Sequence, residues 1–339
     1  MIGLNTSQPE SNLVFSPVWQ TAAHIYGLID GEFARLPASI RPLANERLLH
    51  LQANTSGGRI RFITDSTRLG IHMQVSDANG EPHMPYTGYA GIDILLGEGP
   101  DTRYLATRVP PLRETVLHTE VALPGEPVLV TIYLPIYDGV ISFEIGVDAG
   151  ASIVSPPPYT REDPIVFYGS SITQGACASR PSNAYTALVS RWLNSNYISL
   201  GFNGSAKGEL WLAEYIATLK MSCFVYDYDH NSPSPEYLLD THRAFLETIL
   251  NKQPDLPVVA LSRPNPKLDG PDAQRREIVR ATCAWAAGQG ANIRFIDGNT
   301  LFGTEGQDCC TVDGVHPNDL GFWRMARTVY PHIKAVLGV

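Results

Sequence analysis

Cysteine is scarce in this chain and odd in number. The 339 residues hold five, Cys177, Cys223, Cys283, Cys309 and Cys310. They cannot all pair, and they follow no metal-ligand spacing. Cys309 and Cys310 are neighbours and cannot form an ordinary zinc pair. Reduced thiols in a cytoplasmic protein are the expectation. A basic excess is also lacking: 25 Lys and Arg against 34 Asp and Glu give a net charge of −9. That balance argues against nucleic acid or an anionic membrane as the main partner. No apolar run approaches the length of a membrane span. Met1 to Gln20 has neither the basic start nor the apolar stretch of a signal peptide. Also missing are Gly-x-Ser-x-Gly, Gly-x-x-x-x-Gly-Lys-Ser/Thr, His-Glu-x-x-His and Gly-x-Gly-x-x-Gly. An ordinary α/β-hydrolase, a P-loop enzyme, a zincin and a dinucleotide fold thereby lose their main signals. There is no internal repeat and no low-complexity segment.

The patterns that are present change at a proline run. Before it, Arg59-Ile-Arg-Phe-Ile63 and Gly70-Ile-His-Met-Gln-Val75 alternate as half-buried strands do. Gly91-Ile-Asp-Ile-Leu-Leu96 is a further strand candidate. Val128 to Leu134 and Val140 to Val147 flank an Asp-Gly, which predicts a hairpin. A short helical piece is expected near Ile40 to Leu51. Residues 1–150 therefore read as an antiparallel β-sandwich domain. Three consecutive prolines within Ser152 to Tyr159 mark residues 151–162 as a linker. Residues 163–339 then alternate strand and helix. Five strand candidates among helices predict an α/β fold, a three-layer α/β/α flavodoxin-like sandwich on a five-stranded parallel sheet.

In such a sheet the turns after the strands share one edge, where ligands bind. Ile165-Val-Phe-Tyr168 runs into Gly169-Ser170-Ser171, so a serine stands at that edge. The next turn offers backbone N–H groups around Gly204. The third offers Asn231. After the last strand come Asp313 and His316, three residues apart, close enough to share one loop. A serine, a histidine and a carboxylate on one edge are the components of nucleophilic acyl transfer. Each of these residues also has an ordinary use as a turn or surface residue, and the residues alone leave Ser170 and Ser171 both open as nucleophile.

Gly169-Ser170-Ser171, Gly204, Asn231 and Asp313-x-x-His316 resemble, in order and roughly in spacing, the four blocks of the SGNH (GDSL-type) hydrolases. Gly91-Ile-Asp-Ile-Leu95 resembles the Gly-x-Asp-Leu-Tyr segment of the β-sandwich that precedes some of these enzymes. Two departures stand out: the usual Gly-Asp-Ser is Gly169-Ser170-Ser171, and Gly-x-Asn-Asp becomes Asp229-His230-Asn231-Ser232. The resemblance implies Ser171 as nucleophile, His316 as base and Asp313 as its orienting partner. It implies an oxyanion hole from the N–H groups of Ser171 and Gly204 and the Asn231 amide, and no cofactor or metal. It further implies a serine esterase for short-chain acyl esters of carbohydrates, acetyl foremost. A thioesterase or lysophospholipase, or a carbohydrate-binding protein on a hydrolase fold, are the competing expectations. His230, His83 and Tyr86 are candidate substrate contacts, the last two reaching across from the sandwich. The sandwich itself has three candidate uses: binding sugar, shaping the rim of the site, or forming a homo-oligomer.

Overall fold

The computed structural model describes residues 12–265, 267 and 269–339. Residues 1–11, part of the stretch without signal-peptide character, lie outside the described residues. The first half of the chain holds strands β1 (Leu13–Pro17), β2 (His24–Tyr26), β3 (Arg59–Thr64), β4 (Arg68–Val75), β5 (Ile92–Leu96), β6 (Arg103–Arg108), β7 (Val116–Ala122), β8 (Val128–Tyr133), β9 (Val140–Asp148) and β10 (Ile153–Val154). Two short helices, α1 (Glu46–Leu51) and α2 (Tyr86–Tyr89), interrupt them. The second half runs β11 (Arg161–Gly169), α3 (Ser171–Gln174), α4 (Tyr185–Leu193), β12 (Ser195–Gly201), α5 (Leu210–Ile216), β13 (Cys223–Asp227), α6 (Pro235–Lys252), β14 (Val258–Leu261), α7 (Gly270–Gly288), β15 (Ile293–Ile296) and α8 (Asp319–Leu337).

Two antiparallel sheets form the sandwich. One has the order β1-β9-β4-β7; the other is β10-β3-β8-β5-β6, with β2 also paired to β3. Alternation along the strands sends Ile71, Met73 and Val75 of one sheet against Ile60, Phe62, Val130 and Ile132 of the other.

Here one expectation needs correction. β8 and β9 do not form a hairpin: β8 pairs with β3 and β5, and β9 with β1 and β4. The connection crosses from one sheet to the other because its polar groups bond elsewhere. The buried Asp138 carboxylate accepts from the N–H groups of Ser76, Ala78 and Gly139 at 3.1, 2.9 and 2.8 Å. The N–H groups of Ile136 and Tyr137 donate to Gly88 and Tyr89 carbonyls. An Asp-Gly marks a turn but does not say which strands the turn joins. Within the segment read as a linker, Ile153 and Val154 pair with Thr64 and Ile63 of β3.

The parallel sheet has the order β12-β11-β13-β14-β15, so β11 is flanked on both sides. Its residues alternate between two cores. Ile165 and Phe167 pack with α4 and α8; Val166 and Tyr168 pack with α5, α6 and α7. Both faces are thus covered, as a parallel sheet requires. The sandwich packs onto these same cores, through Tyr89, Tyr133 and Ile136 on one side and Leu36, Leu48 and Leu51 on the other. Asp93, the acidic residue of the Gly91-Ile-Asp segment, is fully buried at the junction. It accepts from the Ser182 N–H at 2.9 Å and from the Thr107 hydroxyl at 2.6 Å, with Arg180 beside it at 3.6 Å.

Candidate active site

The end of β11 sets the first part of the site. A Cβ on Gly169 would lie 1.8 Å from Asp227 Oδ1 and 2.4 Å from Thr173 Oγ1, so the strand ends on the residue that admits this approach. Ser170 is fully buried, and its Oγ accepts from the Ile172 N–H at 3.1 Å. It caps α3, as its residue type favours. Ser171 follows as the first helical residue. Beneath the turn lies Asp227, itself buried, at the end of β13. It accepts from the Thr173 hydroxyl, from the Tyr185 hydroxyl at 3.3 Å and from the Ser170 N–H at 3.4 Å. Burial pushes this carboxyl up to about 6, against the opposing pull of His230 and the Thr173 bond.

Ser171 Oγ lies 3.0 Å from His316 Nε2, and His316 Nδ1 lies 2.7 Å from Asp313 Oδ2. Asp313 Oδ1 also accepts from the backbone N–H groups of His316 and Val315 at 2.8 and 3.0 Å. Burial pushes the Asp313 carboxyl up, but these bonds and the His316 charge outweigh it and hold the group at about 2. An ionised carboxylate on Nδ1 keeps the proton there, which leaves the Nε2 lone pair facing the serine. The loop closes on itself: Val312 N–H donates to the His316 carbonyl at 2.9 Å, and Thr311 bridges Pro317. Gly314 takes φ +82° at its turn.

On the other side of Ser171 is the turn after β12. Gly204 adopts φ +62° there, and the N–H groups of Ser205 and Ala206 both go to the Phe202 carbonyl. The Gly204 N–H has no partner among the described residues. Asn231 Nδ2, from the turn after β13, donates to the same Phe202 carbonyl at 3.2 Å, which ties Asn231 to the Gly204 turn. The Ser171 N–H, in the first turn of α3, has no intrahelical partner either.

Two residues that sequence reasoning passed over brace this turn, Arg35 from the sandwich half and Gln174 from the end of α3. Arg35 is buried without a carboxylate and donates to the carbonyls of Leu51, Asn54, Ser199 and Gly201. Burial lowers its guanidinium to about 9. Gln174 donates to Asn54 Oδ1 and the Ile136 carbonyl, each at 3.2 Å, and accepts from the Asn203 N–H at 3.0 Å. Nothing in the local pattern around either residue marks it. Asp227 had a signal: it ends a central strand on the edge that carries the serine.

The remaining candidates are placed unevenly. The His83 ring lies 5.5 Å from the His316 ring, centroid to centroid. Tyr86 packs against the cores of the two halves. It does not line the cavity beside His83. His230 has a nearly buried side chain, with Nδ1 at 3.1 Å from Asp229 Oδ1 and Nε2 without a partner among the described residues. An open cavity of about 610 Å³ adjoins the histidine side, walled by Pro82, His83, Met84, Pro85, Val312 and Leu320 among others. His83, Cys177 and His316 bring one potential ligand atom each to within 4.8 Å of one another. Positions so far apart in the chain leave no trace in residue spacing. Burial pushes the Cys177 thiol up to about 12, so it is no rival nucleophile. No described helix is long and apolar enough to cross a membrane.

Residues 162–334 match the GDSL-like lipase/acylhydrolase family, and residues 19–153 match the N-terminus of SGNH-hydrolase-type esterases. No curated protein matches the chain. Among solved structures, a putative GDSL-like lipase from Bacteroides ovatus is 29% identical, with TM-score 0.86 over 96% of this chain and 98% of that one. A salicylyl-acyltransferase from a tetracycline biosynthetic pathway is 22% identical, with TM-score 0.81 over 98% and 99%. An acetyl xylan esterase from Butyrivibrio proteoclasticus shares the fold at 13% identity, with TM-score 0.61 over 97% and 99%.

Proposed function

The chain belongs to the GDSL-like lipase/acylhydrolase family, and from that premise we propose that it is an ester hydrolase that removes short acyl groups, acetyl foremost, from carbohydrate alcohols. Ser171 attacks the ester carbonyl while His316 Nε2 takes its proton. Asp313 holds the ring in position and stabilises the imidazolium. The Ser171 and Gly204 N–H groups and the Asn231 amide receive the developing oxyanion. His316 then protonates the leaving alcohol, water attacks the acyl-enzyme, and the acid departs. The observation that carries this reading is the unbroken relay from Ser171 Oγ through His316, at 3.0 Å, to Asp313, at 2.7 Å. Ser170 is engaged as a helix cap, which supports Ser171 as the nucleophile. The likeness to the acetyl xylan esterase supports the acetyl and sugar assignment.

The cavity lies on the side of His316, where the alcohol must leave, so it is the alcohol subsite in this reading. His83 lines it and takes a contact with that alcohol. The division of the chain into a sandwich, a linker and a hydrolase unit belongs to the same proposal, with the sandwich shaping the rim.

The test compares p-nitrophenyl acetate and acetylated xylo-oligosaccharides with C8 and longer p-nitrophenyl esters. Acetate release from the sugar, preference for acetyl over C8, and loss of both in Ser171→Ala are expected. Retained turnover in Ser171→Ala, or faster cleavage of the long esters, overturns it.

A second reading is acyl transfer to an alcohol other than water. The specific observation in its favour is the apolar wall of Pro82, Met84, Pro85, Val312 and Leu320 beside His316, which suits an apolar acceptor. Product analysis with added aryl and alkyl alcohols separates the two: new ester favours transfer, acid alone favours hydrolysis.

A further inference from the structure

We propose that His83, Cys177 and His316 form a binding site for a soft divalent cation such as zinc, and that its occupation turns the esterase off. The inhibitory part rests on His316 being the base of the proposed reaction; the site itself does not.

The donor set is the kind zinc takes, two imidazole nitrogens and one sulfur. The three ligand atoms lie within 4.8 Å of one another. A tetrahedral zinc holds such atoms about 3.3–3.8 Å apart, given Zn–N near 2.0–2.1 Å and Zn–S near 2.3 Å. Side-chain rotation has about an ångström to close. Cys177 adopts φ +70°, a conformation that non-glycine residues seldom hold. In that conformation its Sγ lies 3.5 Å from the His83 carbonyl, on the residue that supplies the second ligand.

The surroundings have the other parts of such a site. His316 Nδ1 is engaged with Asp313 at 2.7 Å, so Nε2 is the nitrogen left for a metal. A carboxylate on the far nitrogen is the usual support of a metal-bound histidine. The cavity of about 610 Å³ is lined by both His83 and Cys177 and opens to solvent, which provides access. Ser171 Oγ, 3.0 Å from Nε2, or a solvent water would supply the fourth ligand. As the metal–sulfur bond forms, the Cys177 proton passes to solvent. As the metal–nitrogen bond forms, the Nε2 lone pair is no longer available to Ser171. The chain spacings of 94 and 139 residues between the three positions hide the set from any motif search.

The experiment uses the full chain, stripped with EDTA and desalted. Zinc chloride is titrated into p-nitrophenyl acetate turnover for the wild type, Cys177→Ser and His83→Ala, each normalised to its own metal-free rate. In parallel, cobalt(II) is added and the thiolate-to-metal absorption band is recorded. The wild type is expected to lose activity with zinc, recover with EDTA, and show the band. Cys177→Ser should lose the band, and both variants should need about tenfold more zinc or beyond, since a lost ligand weakens a site at least as much as a lost supporting bond. Equal zinc sensitivity in all three proteins, or a cobalt band that survives in Cys177→Ser, overturns the site. If the esterase assignment itself fails and there is no turnover to inhibit, the cobalt band still decides whether the metal site exists.

Discussion

The two sides of Ser171 are built in opposite ways. On the oxyanion side the braces are buried and join the two halves of the chain: Asp227 under the serine turn, Arg35 reaching in from the sandwich half, and Gln174 at the end of α3 reaching out to it. On the histidine side, Asp313 and His316 stand on a partly exposed loop that closes on itself through Thr311 and Pro317. The difference matches what each side does in the proposed reaction. Oxyanion donors must be fixed before charge develops, because they act by preorganisation. The base must be aimed by one hydrogen bond, and a local loop can supply that. The two sides should therefore fail differently when broken.

The largest effect is expected on the histidine side. Asp313→Asn keeps the shape of the loop but weakens the hold on the Nδ1–H, so the wrong tautomer of His316 forms. A fall in kcat of about 10⁴ with little change in Tm is expected. The measurement is acetyl-ester turnover alongside a thermal melt. A loss of fold in this variant would mean that the loop carries stability as well as aim.

Next comes Arg35→Met. Four carbonyls lose their donor at once, two of them at the end of β12. Each buried carbonyl left without its donor costs about 1–3 kcal/mol, so a loss of several kcal/mol of stability is expected. Denaturant unfolding measures it. In the molecules that remain folded, kcat should fall as well, because the Gly204 turn has lost its anchor. Unchanged stability and unchanged kcat would remove the contrast between the two sides.

Asn231→Ala breaks the oxyanion side without breaking the fold. A hundredfold drop in kcat, about 10² to 10³ for one lost donor, with KM little altered, is expected. A normal kcat would make Asn231 a simple tie to Phe202, and His230, whose buried Nε2 has no partner among the described residues, would be the next donor to remove.

The smallest effect concerns Asp227→Asn and depends on pH. The buried carboxyl titrates near 6 when folded, above the ordinary carboxylate range. The folded chain thus holds this proton more tightly than the unfolded chain does. Its contribution to stability is complete below about pH 4 and is lost as pH rises through about 6. Asparagine does not titrate, so the variant should gain about 1–3 kcal/mol relative to the wild type between pH 4 and 7. Melts across that range show it; a difference independent of pH would place the ionisation elsewhere.

Much of the parallel half was legible in the sequence, for a physical reason. A strand covered on both faces is apolar throughout, as Ile165 to Tyr168 are, and the helices that cover it carry stripes at helical spacing. The strand ends then locate Ser171, Gly204 and Asn231 on one edge. The antiparallel half was less legible. Its strands are visible by alternation, but their partners are not, since the buried Asp138 carboxylate and its donors decide where the chain after β8 goes. Arg35 and Gln174 were invisible for a related reason: each has partners more than a hundred residues away, Arg35 the Ser199 and Gly201 carbonyls and Gln174 the Asn54 side chain. Tyr86, a candidate substrate contact, packs against the cores of both halves.

The central claim, that Ser171 is a nucleophile activated by His316, is tested most directly by covalent trapping. The wild type and His316→Ala are treated with a fluorophosphonate, and the adduct is located by peptide mass spectrometry. The account predicts one adduct per chain in the wild type, on Ser171, and far slower labelling of the same residue in His316→Ala. An adduct on Ser170, or labelling that proceeds equally fast without His316, would contradict it.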